Sequence, residues 1–98
     1  MTRKAKNSST EMKSVRKSID MIDSKILPLM IKRSFLVNKA LSLKTKKSEI
    51  IDRKRINQIR KKISSKSKKL GANPKLMSNI WVSIIENFID FEKRNFKK

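Results

Sequence analysis

Cysteine is absent from this 98-residue chain, which excludes disulfides and thiolate chemistry. Histidine is absent too. A Zn or Fe site of the usual kind falls away with it, and so does a Ser-His-Asp triad. No apolar run approaches the ~20 residues that a bilayer-spanning helix needs. The longest, ILPLMI, has six. The N-terminus MTRKAKNSST is polar and lacks the apolar stretch of a secretory signal. The expectation is a cytoplasmic protein with no membrane partner. Hydrophobic residues make up 37% of the chain, below the ~45–50% usual for globular domains. A chain this short buries only roughly 60–70% of its unfolded surface. That core is thin for a monomer and points to one shared with a second copy.

What is present is positive charge. Twenty-seven Lys and Arg against eight Asp and Glu give a net charge of +19. Such a balance suits nucleic acid or an anionic surface. Three features argue against nucleic acid as the main partner. The cations are spread along the whole chain. Lysine outnumbers arginine, whereas groove and phosphate recognition leans on arginine's fork. Lysine and isoleucine are abundant while glycine occurs once, a pattern that biased codon usage produces without any binding surface.

The hydrophobic pattern is helical throughout. Val15, Ile19, Ile22, Ile26, Leu29, Leu36, Ala40 and Leu43 follow alternating steps of three and four. The one gap in that seam is filled by Arg33. The spacing predicts a helix from about Met12 to Thr45, roughly 50 Å long. A helix of that length outruns a small domain and needs a partner. Pro28 should bend it; two shorter helices meeting near Leu27 are the alternative. The seam keeps its phase through the proline, which favours one bent helix. Residues 1–11 read as a polar, disordered tail and residues 12–98 as the folded domain. The polar stretch TKKSEI reads as a loop. Asp52 or Ser48 can cap a second helix with Ile56, Ile59, Ile63 and Leu70 on one face. Gly71 ends it. Asn73-Pro74 opens a third helix, which carries Met77, Ile80, Trp81, Ile84, Ile85, Phe88 and Phe91. No alternating run supports a sheet. The fold class is all-α, with three helices, one of them long.

Charges interrupt the apolar faces. Arg33 and Lys44 are three turns apart on one face, ~16 Å along the axis. Arg16 lies ~25 Å before Arg33 and points about 100° away, so one small ligand cannot touch both on a straight helix. An antiparallel second copy would bring its Arg16 beside the first copy's Arg33. Arg55 borders the second helix's apolar face, and Glu92 sits on the third helix's apolar face. Taken singly, each has an ordinary explanation: a snorkelling cation, or an acid at a fraying end. Together they describe inward faces carrying several cations and one acid, suited to a small dicarboxylate.

The spacing of Arg16, Arg33 and Lys44 with the motif IDMIDSKILPLMIKR resembles the all-helical chorismate mutases. DRKRINQI resembles that family's second-helix arginine motif, and LGANPKLMSNIWVSIIENFIDFE its third helix. The likeness covers about residues 12–94. It implies an intertwined helical homodimer with two sites that borrow from both subunits. It implies that Arg16 is donated by the partner chain and that Arg33 holds a substrate carboxylate. Lys44 would contact a carboxylate and the ether oxygen. Arg55 matches the second-helix arginine and Asp52 a nearby acid. Glu92 stands where many members have glutamine, the other contact to the ether oxygen, and can donate there only when protonated. The implied reaction is the pericyclic rearrangement of chorismate to prephenate in aromatic amino acid biosynthesis. It needs no nucleophile, base, metal or cofactor, in keeping with a chain that lacks His and Cys.

Two positions depart from the best-known mutases. Ile56 follows Arg55, where those enzymes place a glutamate that meets the ring hydroxyl. Phe88 stands where they place a small hydroxyl residue. Both features resemble the sister branch, the isochorismate-pyruvate lyases, which form salicylate from an isomer with its hydroxyl moved. That branch is the alternative within the family. The alternative of another class is a basic helical nucleic-acid-binding protein, resting on the run RKRINQIRKK of residues 53–62. A solvated helix face explains that run equally well.

Overall fold

The computed structural model describes residues 2–98, with side chains from Ser9 onward. It contains three α-helices, α1 (Thr2–Leu43), α2 (Arg53–Lys69) and α3 (Pro74–Asn95), and a short 3-10 turn at Lys47–Glu49. No strand occurs among the described residues. No helix there is long and apolar enough to cross a membrane. The chain divides into two compact units, residues 1–35 and residues 36–98.

The first unit consists of helix α1 as far as residue 35. It passes Pro28 without interruption, which settles the choice between one helix and two in favour of one. It also starts earlier than expected, at Thr2 rather than near Met12. No proline or glycine stands in the first eleven residues to break the backbone pattern. Residues 9–11 are exposed, as are nearly all the side chains after them. The seam residues Val15, Ile19, Ile22, Ile26 and Leu29 are 47–67% exposed. Among the described side chains of this unit, only Met30, Arg33 and Ser34 are partly withdrawn from solvent.

The second unit holds the end of α1, the 3-10 turn and the α2–α3 hairpin. Its helix ends follow local chemistry. Asp52 caps α2, its Oδ1 accepting from the Arg55 amide at 3.0 Å. Lys66, Lys68 and Lys69 in the last turn suit the negative end of the helix dipole. Gly71 follows at φ 73°, in the left-handed region that glycine enters without steric cost. There the Ala72 amide reaches the Ser67 carbonyl at 2.9 Å and the Gly71 amide reaches that of Lys68 at 3.2 Å. This is the Schellman closure that satisfies the last carbonyls of α2. Asn73 Oδ1 accepts from the Leu76 amide at 3.1 Å, and Pro74 occupies the first turn of α3.

Helix α2 turns Ile56, Ile59 and Ile63 inward, all half-buried. Leu70 does not join them: it is 84% exposed. The helix ends at Lys69, so the periodicity no longer places residue 70 on that face. Ser67 takes the position, buried, with its hydroxyl donating to the Ile63 carbonyl at 2.6 Å. On α3, Met77, Trp81, Ile84 and Phe88 are half-buried and Ile85 is buried, while Ile80 and Phe91 remain exposed. Leu41, Ile50 and Ile85 are the buried hydrophobic residues of the described chain.

Candidate active site

Lys44 is the first residue beyond α1. Its amide still bonds back to the Leu41 carbonyl at 3.1 Å, and Leu41 is buried. The helix therefore fixes where the lysine side chain starts. Glu92, near the end of α3, is also buried. Lys44 Nζ donates to Glu92 Oε2 at 2.5 Å, joining residues 48 apart in sequence. The ammonium end is the more open of the two: the Lys44 side chain is 22% exposed and that of Glu92 9%. An ammonium carries three N–H donors, so two remain for a ligand when one is held by Glu92. The pair thus presents an oriented cation backed by a buried acid.

The other site residues expected from the sequence fall in both units. Phe88 lies one turn before Glu92 on α3 and is half-buried. Ile56 is half-buried on α2, while Arg55 beside it is exposed. Asp52 is exposed and its carboxylate is engaged in capping α2. With Lys44, Glu49, Ile51 and Arg53 it lines an open hollow of about 560 Å³. In the first unit, Arg16 is exposed and Arg33 is partly buried, with its Nη1 atom out of solvent.

Two residues near Lys44 were not singled out from the sequence. Glu49 Oε1 accepts from the Thr45 hydroxyl at 2.7 Å, the Lys46 amide at 3.0 Å and the Thr45 amide at 3.2 Å. Those bonds, led by the Thr45 hydroxyl, hold its carboxyl below its ordinary pKa. A lone acid in the basic stretch KTKKSEI was the available signal. Lys98 Nζ donates to the Ser42 carbonyl at 2.6 Å, satisfying one of the last carbonyls of α1. A lysine at that position carries no local signal for such a contact.

Residues 15–93 match the family profile described as chorismate mutase type II. Searches of curated proteins and of solved structures find no match. The matched span holds Arg16, Arg33, Lys44, Arg55 and Glu92, and it takes in most of α1 with all of α2. The chain belongs to the chorismate mutase type II family.

Proposed function

We propose that the chain rearranges chorismate to prephenate as a homodimer, with Lys44 and Glu92 at the breaking ether bond. The activity is that of the family: an isomerase whose substrate is chorismate. The observation that carries the site is the Lys44–Glu92 contact, which sets a cation and a buried acid side by side.

In the reaction one C–O bond breaks while one C–C bond forms, within a single molecule. No group leaves and no proton need move. The protein must hold the two reacting ends together in a compact conformer. It must also aim fixed donors at the ether oxygen, where negative charge develops. Lys44 supplies such donors. Glu92 as a carboxylate orients Lys44 by accepting from it; protonated, it donates to the ether oxygen itself. Arg33, Arg55 and the partner's Arg16 hold the substrate carboxylates, for which the guanidinium fork is suited. These arginine roles rest on the family resemblance. Asp52 contributes by fixing the start of α2, and so the backbone that carries Arg55 and Ile56.

The exposed seam of α1 supports the dimer. Met12, Val15, Ile19, Ile22, Ile26, Leu29 and Leu36 leave about half or more of their surface open. A contiguous apolar face of this extent is beyond what a monomer usually shows to water. A second copy of α1 laid along it would cover this seam, with residues 12–98 forming the functional unit.

Ile56 and Phe88 are the positions at which a lyase-like preference for isochorismate would be expressed. The deciding assay incubates the purified protein with chorismate and isochorismate separately and identifies products by mass spectrometry. Prephenate from chorismate is expected. Salicylate and pyruvate from isochorismate, with no prephenate from chorismate, would reject this reading in favour of the lyase.

A further inference from the structure

We infer that Glu49 is a positioning residue for Lys44, acting through the turn that carries the chain away from it. The inference rests on the catalytic role proposed for Lys44. Lys44 sits at a junction, after the last residue of α1 and before the 3-10 turn. On its helical side the backbone is held by the bond to Leu41. On its other side there is no helix to hold it for two residues, Thr45 and Lys46. Glu49 fills that gap. One carboxylate oxygen gathers the Thr45 amide, the Thr45 hydroxyl and the Lys46 amide. The turn is then tied down by the Ile50 side chain, which is 4% exposed, and by the Ile50 amide bonding to the Lys47 carbonyl at 3.1 Å.

The consequence is geometric. The ψ angle of Lys44 sets the path of Thr45, so fixing Thr45 and Lys46 restricts the backbone from which the Lys44 side chain projects. A donor aimed at a developing charge loses effect when its position drifts, and an ångström of misplacement can cost about 100-fold. Glu49 is exposed and lines the same open hollow as Lys44, but its carboxylate bonds to Thr45 and Lys46 while Lys44 pairs with Glu92. Its effect on the reaction would therefore run through the turn. The acceptor is strongest as an ion. Its depressed pKa means the clamp is strongest above the ordinary carboxylate range and weakens, without vanishing, as pH falls through the lowered value and leaves a neutral acceptor.

The test is a double-mutant cycle in kcat, made on the full chain at neutral pH. Glu49→Ala is expected to lower kcat about 10-fold with less than a 3-fold change in KM, at unchanged helicity by circular dichroism. Glu49→Gln keeps an oxygen acceptor and should recover most of that loss. Thr45→Val removes one donor and should show a smaller decrease of the same kind. In a Lys44→Ala background the same Glu49→Ala change is expected to have no further effect on kcat. Equal losses in both backgrounds, or wild-type kcat in Glu49→Ala, would overturn the inference while leaving Lys44 catalytic. Full activity of Lys44→Ala alone would instead remove the proposed site reading, and this inference with it.

Discussion

Lys44 Nζ lies 2.5 Å from Glu92 Oε2, so the first residue after α1 and a residue in the last turns of α3 form one ion pair. Both are partly or fully withdrawn from water. Such a pair has two separable roles, one in stability and one in chemistry.

Lys44→Ala should show both. It removes the proposed donor to the ether oxygen, and loss of one such donor typically costs about 100- to 1,000-fold in kcat. It also leaves the Glu92 carboxylate buried without its cation. Because Lys44 is partly exposed, the expected destabilisation is about 1–3 kcal/mol rather than the larger cost of a fully buried pair. Steady-state assays and urea unfolding read the two effects independently.

Glu92→Gln should retain turnover to within about 10-fold, because the amide keeps an oxygen for Lys44 and offers an N–H to the ether oxygen. Glu92→Ala provides neither and should lose about 100-fold or more. If both variants turned over chorismate as fast as the parent, Glu92 would have no place in the site.

The proposed dimer, with a site shared between subunits, makes a sharper prediction. Arg16→Ala and Lys44→Ala should each be nearly inactive alone. Mixed after unfolding and refolding, half the dimers pair one variant with the other, and each such dimer rebuilds one of its two sites. About a quarter of wild-type activity should return. A mixture no more active than its components would show that Arg16 is not donated across subunits.

Gly71→Ala should destabilise the chain by about 1 kcal/mol without altering kcat. The cost is conformational only: at φ 73° a Cβ meets nothing within 4 Å. Thermal or urea unfolding with parallel assays checks both parts.

Much of the fold was legible because helix ends are written locally. Asp52 reaches the Arg55 amide, and Asn73 reaches that of Leu76, each across three residues. Gly71 closes α2 through bonds spanning three and five residues. The same local reading failed where an element stopped or continued against its pattern. Leu70 has the right spacing for the inner face of α2, but the helix ends one residue earlier, and Ser67 is buried instead. Helix α1 starts at Thr2, ahead of the apolar seam whose spacing placed its start near Met12.

The sequence by itself determined the helical class, the cations on apolar faces and the residue types suited to a dicarboxylate. Periodicity and charge are properties of the linear chain. Tertiary structure decided that Lys44 meets Glu92 and that Glu49 closes the turn after Lys44. The first contact joins residues 48 apart and exists only when the hairpin brings the end of α3 back to the end of α1. The second is close in sequence but depends on the angle at which the chain leaves the helix. Side-chain hydrogen bonds and burial set that angle, and residue spacing does not encode it.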